Sequence, residues 1–332
     1  MAKKRIKDIA AEAGVSEATI SRYLNKNYKA MSEKTRLKIE RIIEENDYRP
    51  NSMARGLKLK KTNTIGIILA DIKNPFSSEI LKSLSEICVK TEYSLMICIT
   101  NNDSAEEEKC LRKYMDKGVD GLIVNTSGGN DELLITINKQ IPVVLLDRDI
   151  PGKKLDVVTS NNKQLMSDLV EYLYQSQYTK CYLFSENIGT STVRKIRYDG
   201  FISETAARNI DADSYIIPEN SNEIEQLLKN IIKEKENEKI AVIAINGLVF
   251  LELVKAINQL KIEVGKDIGV ATFDEYAWNA VLFGGVTTVV QNSSQIAENI
   301  FEILRNRIEN SEKSESVRVE IEGKIIIRDS TN

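Results

Sequence analysis

From Thr62 onward, short apolar runs alternate with stretches of helical spacing, and this rhythm limits the fold more than any other feature of the 332-residue chain. "TIGIILA" reads as a buried strand, with a helix beginning near Pro75. "YSLMICI" follows, then a helix through "SAEEEKCLRKYMDKG", then "VDGLIV", a helix near Asp131–Asn138, and "IPVVLLD". The second half repeats the pattern. Its strands are "KCYLF", "SYIIP", "KIAVIAI" and "DIGVATF", and its helices start near Ser191, Ser221 and Leu248. Alternating strands and helices predict an α/β fold of parallel sheets with right-handed crossovers. Ligands bind such sheets at the carboxyl ends of the strands. Two α/β halves of similar size predict two lobes with a cleft between them.

The first sixty residues are different in kind. Residues 1–61 hold sixteen Lys and Arg against eight Asp and Glu, a net of +8, whereas the rest of the chain carries thirty against forty-one, a net of −11. A basic segment on an acidic body predicts an anionic partner for that segment alone. The helical pattern supports this. Ile6, Ile9, Ala10 and Ala13 recur at helical spacing, Gly14 breaks the helix, and Ser16 is placed to cap the next one. Ala18, Ile20 and Leu24 can face inward with Val15, leaving Glu17, Thr19, Ser21 and Arg22 outward or on the flanks. A third helix after Ser32 carries Ile39, Ile42 and Ile43. This is the helix-turn-helix plan, in which the second helix enters the major groove of DNA. Arg22 suits a guanine edge, Glu17 a cytosine amine and Ala18 a thymine methyl. Ser16, Thr19 and Ser21, with Lys3, Lys4, Arg5 and Lys7, suit phosphates. A three-helix bundle with another task is the alternative.

Several classes are disfavoured. The chain has no histidine, which removes Ser-His-Asp triads, Cys-His pairs and His-ligated zinc. No metal or cofactor is expected, and catalysis would have to rest on carboxylates or lysines. Cys88, Cys98, Cys110 and Cys181 are scattered without a CxxC pair and read as buried reduced thiols. No apolar run reaches membrane-spanning length, and "MAKKRIKDIAAEAGV" lacks the apolar core of an export signal, so a cytoplasmic protein with no membrane partner is expected. "TSGGND" at Thr126–Asp131 is a weak likeness of a phosphate loop and reads better as a turn.

"IKDIAAEAGVSEATISRYLN", followed by "MSEKTRLKIERIIEENDYRPNSMARGLKLKKTNTIGIILADIKNPF", resembles the head of the lactose/galactose-repressor family of bacterial transcription regulators. The resemblance implies a helix-turn-helix domain over 1–49, a hinge over 50–62 and a periplasmic-binding-protein-like body over 63–332. It implies a first lobe of about 63–160 and 292–321 and a second of about 161–291 and 322–332. The chain would cross between lobes near Asn161, Gln291 and Glu322. Pro50 stops the third helix, and Asn51 can cap a short helix from about Ser52 to Leu57. In the family this hinge helix folds on operator DNA and wedges a leucine, here Leu57, into the minor groove. Gly56 weakens the isolated helix by about 1 kcal/mol relative to Ala, which fits ordering on binding; a plain linker is the alternative. Arg55, Lys58, Lys60 and Lys61 would meet phosphates, and Asn25 and Tyr48 complete the set expected at the duplex.

In the body, polar residues stand at strand ends: Asp71 and Asn74 beside Phe76, Asn101 or Asn102, Asp147 with Arg148, then Asn246, Asp274 and Gln291. Arg197 stands in "RYDGF". Carboxylates, amides and guanidiniums converging beside an aromatic ring are what a polyhydroxylated ligand requires. These positions coincide with the sugar-contacting positions the resemblance implies. The chain also departs from the family. The usual "HL…GH" reads "YLYQSQYTK", and the usual "ND" reads Asn246-Gly247, losing a carboxylate. "FDEYAWNAVLFGGVTTVVQ" resembles regulators of ketogluconate use, with Tyr276 and Trp278 offering an aromatic wall. Arg148 and Arg197 are placed to hold a carboxylate, so a sugar acid is the favoured effector and a neutral pentose or hexose the next.

The expected function is a DNA-binding transcription regulator, a repressor of a carbohydrate-utilisation operon. Its homodimer would grip a near-palindromic operator and be switched by the effector in the cleft. The dimer face is expected around Ser78, Leu81 and Ser85 and around Leu248–Leu253. A cytoplasmic sugar-binding or transport protein, a sugar-modifying enzyme, and a regulator answering to a protein co-effector are the alternatives.

Overall fold

The computed structural model describes residues 4–24, 26–29, 31–48, 61–218, 223–235, 238–310 and 315–332. They fall into two units, Met1–Thr62 and Asn63–Asn332.

The smaller unit holds α1 (Ile6–Ala13), α2 (Glu17–Leu24) and α3 (Glu33–Glu45). Gly14 ends α1 in the left-handed conformation, φ +66°, and its N–H returns to the α1 carbonyls, so the chain turns within three residues. The Ser16 hydroxyl accepts the Thr19 amide at 3.2 Å, and Ser32 caps α3 through the Thr35 amide. Ile9, Ala10, Ala13, Ile20, Ile39 and Ile42 form the core, with Val15, Tyr23, Leu24, Ile43 and Tyr48 packed around it.

The larger unit contains two six-stranded sheets. The strands are β1 (Thr64–Leu69), β2 (Ser94–Ile99), β3 (Gly121–Asn125), β4 (Val143–Leu146), β5 (Asp156–Ser160), β6 (Lys180–Ser185), β7 (Asp211–Ile216), β8 (Ile240–Ala244), β9 (Gly269–Phe273), β10 (Thr287–Val290), β11 (Arg318–Ile321) and β12 (Lys324–Ile326). The helices are α4 (Pro75–Val89), α5 (Ser104–Lys117), α6 (Asp131–Asn138), α7 (Asn162–Gln175), α8 (Thr192–Ala207), α9 (Glu223–Glu234), α10 (Gly247–Leu260) and α11 (Ser293–Glu309). The first sheet runs β11-β5-β4-β3-β1-β2, all parallel; the second runs β12-β10-β9-β8-β6-β7, with β12 antiparallel to β10. The order shows that the chain passes between lobes after β5, after β10 and after β11. Strands β1, β3, β4, β6, β8 and β9 are buried on both faces, which explains their unbroken apolar character. Strand ends β1, β3, β4, β6, β8 and β9 therefore deliver their following residues to the lobe rims.

One reading changes, and another falls outside the described residues. Ser221 lies outside the described residues, and the helix expected there is described from Glu223. Cys98 on β2 and Cys110 on α5 form a disulfide, their Cα atoms 6.5 Å apart, because the β2–α5 connection folds the helix back across its strand. Cys88 and Cys181 are free and buried. No helix among the described residues is long and apolar enough to cross a membrane.

Candidate functional site

The cleft takes its form at the strand ends. Asp71, Asn74, Phe76, Ser77, Asn125, Asp147 and Arg148 from the first lobe, and Ser191, Val193, Arg194, Arg197, Asn246 and Asp274 from the second, line one cavity, with Gln291 at a crossover. Asn74 caps α4 by accepting the Phe76 amide, and Pro75 at the first helical position fixes the turn that buries Phe76. Asp147 and Asp274 both hold left-handed backbone, φ +65° and +73°, where β4 and β9 end. Such strain in non-glycine residues collects at functional sites.

Arg197 is 4% exposed and lies over the Phe273 ring at 4.0 Å. Its Nε donates to Asn162 Oδ1 at 2.7 Å and one terminal nitrogen to the Ile245 carbonyl at 2.9 Å. Desolvation pulls its pKa down, while the carboxylates of Asp274 and Asp147 oppose the shift. Burial likewise pushes Asp147 up against the pull of Arg197 and Arg148. Gln291 ties the centre together: its Nε2 donates to Asp274 Oδ1 at 2.6 Å, and its Oε1 accepts the Ser160 hydroxyl at 2.7 Å. The second oxygen of Asp274 is buried and outside hydrogen-bond geometry, as is the buried Tyr276 hydroxyl that interacts with the same carboxylate. An ionisable oxygen left so is an open acceptor for a ligand hydroxyl.

Three expectations are revised by this geometry. Asn102 is exposed, its N–H is spent on the Ala70 carbonyl, and it does not line the cavity. Trp278 stands outside it too, 40% exposed and stacked on Tyr276 with ring centroids 4.8 Å apart. Tyr276 is buried instead, and its ring fills the space beside the Gly247 Cα, where a Cβ would lie 2.6 Å from it. The absent side chain at position 247 is thus replaced by this ring. Asn246 lines the cavity, but its Oδ1 caps α10 and its Nδ2 binds Glu186.

Arg194 and Glu186 were missed. They form an ion pair at 2.8 Å, and Arg194 precedes Arg197 by three positions, one helical turn, which is the signal that would have found it. The "TSGGND" segment is a turn: the buried Glu107 carboxylate accepts the Thr126 hydroxyl at 2.9 Å and also the Ser127 amide, so that amide is not free for a phosphate.

On the smaller unit, Glu17, Ala18 and Arg22 are exposed and Ser21 half-buried, forming one face of α2; Ala18 therefore leaves the core assigned to it. Ser16 is exposed and Thr19 half-buried, their hydroxyls 3.0 Å apart. Arg5 starts α1, and Lys4 pairs with Glu12 at 2.6 Å. Tyr48 packs on the core. Asn25, Asn51, Arg55 and Leu57 lie outside the described residues, as does Lys3.

Residues 5–51 match the bacterial regulatory proteins of the lacI family, and residues 62–328 match the periplasmic binding proteins and sugar binding domain of the LacI family. The transcriptional regulator KdgR of Bacillus subtilis is 35% identical, covering 98% of this chain and 97% of its own. PtxS of Pseudomonas putida is 30% identical, covering 98% and 95%. Among solved structures, the lac repressor dimer bound to operator and the anti-inducer ONPF aligns with a TM-score of 0.86 at 20% identity, over 99% of both chains. A periplasmic binding protein/LacI transcriptional regulator from Alkaliphilus metalliredigens complexed with D-xylulofuranose gives 0.69 at 20% identity, over 81% of this chain and 99% of that one. Both KdgR and PtxS are transcription regulators. Since both parts of the chain match one family and KdgR matches it over nearly its whole length, the chain belongs to the lacI family of bacterial transcription regulators.

Proposed function

We propose that this regulator represses a carbohydrate-utilisation operon and that a sugar acid in the cleft switches its hold on the operator. The carrying observation is the cavity itself. Asp147, Asp274, Arg197 and Gln291 converge there beside Phe76, and one carboxylate oxygen of Asp274 is unsatisfied. Such a set clamps adjacent hydroxyls, each of which donates and accepts. The sugar in the Alkaliphilus relative's structure supports a carbohydrate ligand for this architecture. Arg148 adds a cation that makes no ion pair among the described residues, although Asp147, Glu186 and Asp71 attract it, and this suits an acid.

The dimer would place two α2 helices on a two-fold axis, and thus on a near-palindromic operator. Its face is assigned to α4, where Ser78, Leu81 and Ser85 line a groove with Val89 and Ile97, the last two exposed, and to α10 around Leu248–Leu253. The test is effector response in a fluorescence-anisotropy assay on the upstream region of the chain's own gene. Asp274→Ala and Arg197→Ala are expected to abolish the response and leave operator affinity within about threefold. An unchanged response removes both residues from the pocket.

A further inference from the structure

The two lobes each present a guanidinium to the same cavity. Arg148 comes from the first lobe, just after β4, and Arg194 from the first turn of α8 in the second. Arg148 spends one terminal nitrogen on the Thr126 carbonyl at 2.9 Å, and no carboxylate among the described residues lies within ion-pair distance of it. Arg194 gives one terminal nitrogen to Glu186 and the other to the Asn187 carbonyl at 3.0 Å. Each guanidinium has five N–H donors, so both retain donors for a ligand. Burial, and after it the positive charge of Arg194, lower the pKa of the Arg148 guanidinium against the attraction of Asp147, Glu186 and Asp71, so the two cations feel one another across a cleft that also holds carboxylates. Arg197 is less free: it lies flat on Phe273, with neutral oxygens on two of its nitrogens.

We infer that Arg148 and Arg194 form a carboxylate clamp between the lobes, so that a ligand's acid group bridges two cations that otherwise repel one another. The inference rests on the sugar-acid reading above and assigns the acid group to Arg148 and Arg194, leaving Arg197, Asp147 and Asp274 for the hydroxyls. A bridging anion favours the approximated lobes, and a neutral sugar does not; selectivity and closure then have one cause. Contacts between the lobes already sit beside the pair. The Thr190 hydroxyl donates to the Ser127 carbonyl at 2.8 Å, and the Asp149 amide donates to the Thr192 hydroxyl at 3.0 Å. The amino-terminal end of α8, capped by the buried Ser191, adds its partial positive charge on the same side. Charge also selects between anions. Asp71, Asp147, Asp274 and Glu186 outnumber the three arginines around the site, so a single negative charge fits better than a phosphate dianion.

The test is calorimetric titration of the full-length protein with gluconate, 2-ketogluconate and galacturonate, beside glucose, galactose and glucose 6-phosphate. At least one acid is expected to bind, and to bind more tightly than its neutral counterpart and than the phosphate ester. Arg148→Gln and Arg194→Gln should each weaken it about 10- to 100-fold, the loss expected for a charge-assisted hydrogen-bonded pair. Arg148→Lys should restore part of the loss, because it keeps the charge and not the fork. Thermal melts monitored by circular dichroism verify that each variant is folded. If an acid binds and both Gln variants keep its affinity within threefold, the clamp is wrong while the sugar-acid reading stands. If glucose 6-phosphate binds more tightly than every acid, or if no acid binds, the sugar-acid reading itself falls and the clamp with it.

Discussion

Asp147 shows what a buried carboxylate costs at the end of a strand. Its carboxylate is buried, accepts the Thr159 hydroxyl at 3.2 Å and sits on left-handed backbone. Desolvation raises its pKa, partly countered by Arg197 and Arg148. A raised folded-state pKa means that the folded protein holds the proton more tightly than the unfolded chain. Its contribution to stability is therefore complete below the ordinary aspartate value of about 3.9 and is lost as pH rises through the folded value. Asn tolerates positive φ and keeps an oxygen for Thr159, so Asp147→Asn removes the charge without new strain. It should raise Tm by about 2–4 °C near pH 7, the shift that about 1 kcal/mol brings in a chain of this size. The gain over the parent should shrink as pH falls towards 4, and effector response should be lost. A variant that melts lower at every pH would show that the buried carboxylate stabilises this site. Gly247 makes the complementary point: a position that reads as a missing carboxylate is the space that the Tyr276 ring occupies.

Among the elements, α2 carries the sharpest expectation. Its exposed face sets Glu17, Ala18 and Arg22 together, and Arg22 has no ion-pair partner among the described residues, whereas Lys4 is engaged with Glu12. Arg22→Ala should cost about 1–3 kcal/mol on the specific operator and leave binding to scrambled duplex nearly unchanged. Competition anisotropy on the two duplexes measures the difference; equal losses on both would make Arg22 a phosphate contact. Glu17 and Arg22 were legible on this face from spacing, because a helix repeats every 3.6 residues, but Ala18 was not, because a small apolar side chain suits either side of a helix. The buried strands were legible for a similar reason, as unbroken apolar runs. Strand β5 was not read, because Thr159 and Ser160 give it a loop's composition although both are buried. The cleft was half legible. Strand ends announce Asp147, Asn246 and Asp274, but the partners that fix Arg197 lie 35 and 48 residues away, at Asn162 and Ile245. Only the packing of α8 against α7 and beside the end of β8, all within the second lobe, brings those residues together, as only the fold-back of α5 on β2 unites Cys98 with Cys110.

For the whole molecule, the split charge and the two-lobed body impose a thermodynamic constraint that no single residue does. The basic head meets an anionic polymer, and the cleft meets a small ligand, so DNA affinity should fall steeply with salt through counterion release. Effector affinity should fall far less, since its charges are partly buried and weakly screened. If the two events are linked, the linkage is reciprocal: the factor by which effector changes operator affinity must equal the factor by which operator changes effector affinity. A coupling of about 1–3 kcal/mol corresponds to about 5- to 150-fold in each direction. Effector affinity measured by calorimetry, with and without saturating operator duplex at one salt concentration, should change by the same factor as operator affinity measured with and without saturating effector. Trp278 is the chain's single tryptophan and stacks on Tyr276 beside the cleft, so its emission offers a second readout of the effector half of this cycle. Two unequal factors would mean that the effector acts on operator binding by a route outside this cycle, such as a change in oligomeric state, and the cleft would no longer suffice as the switch.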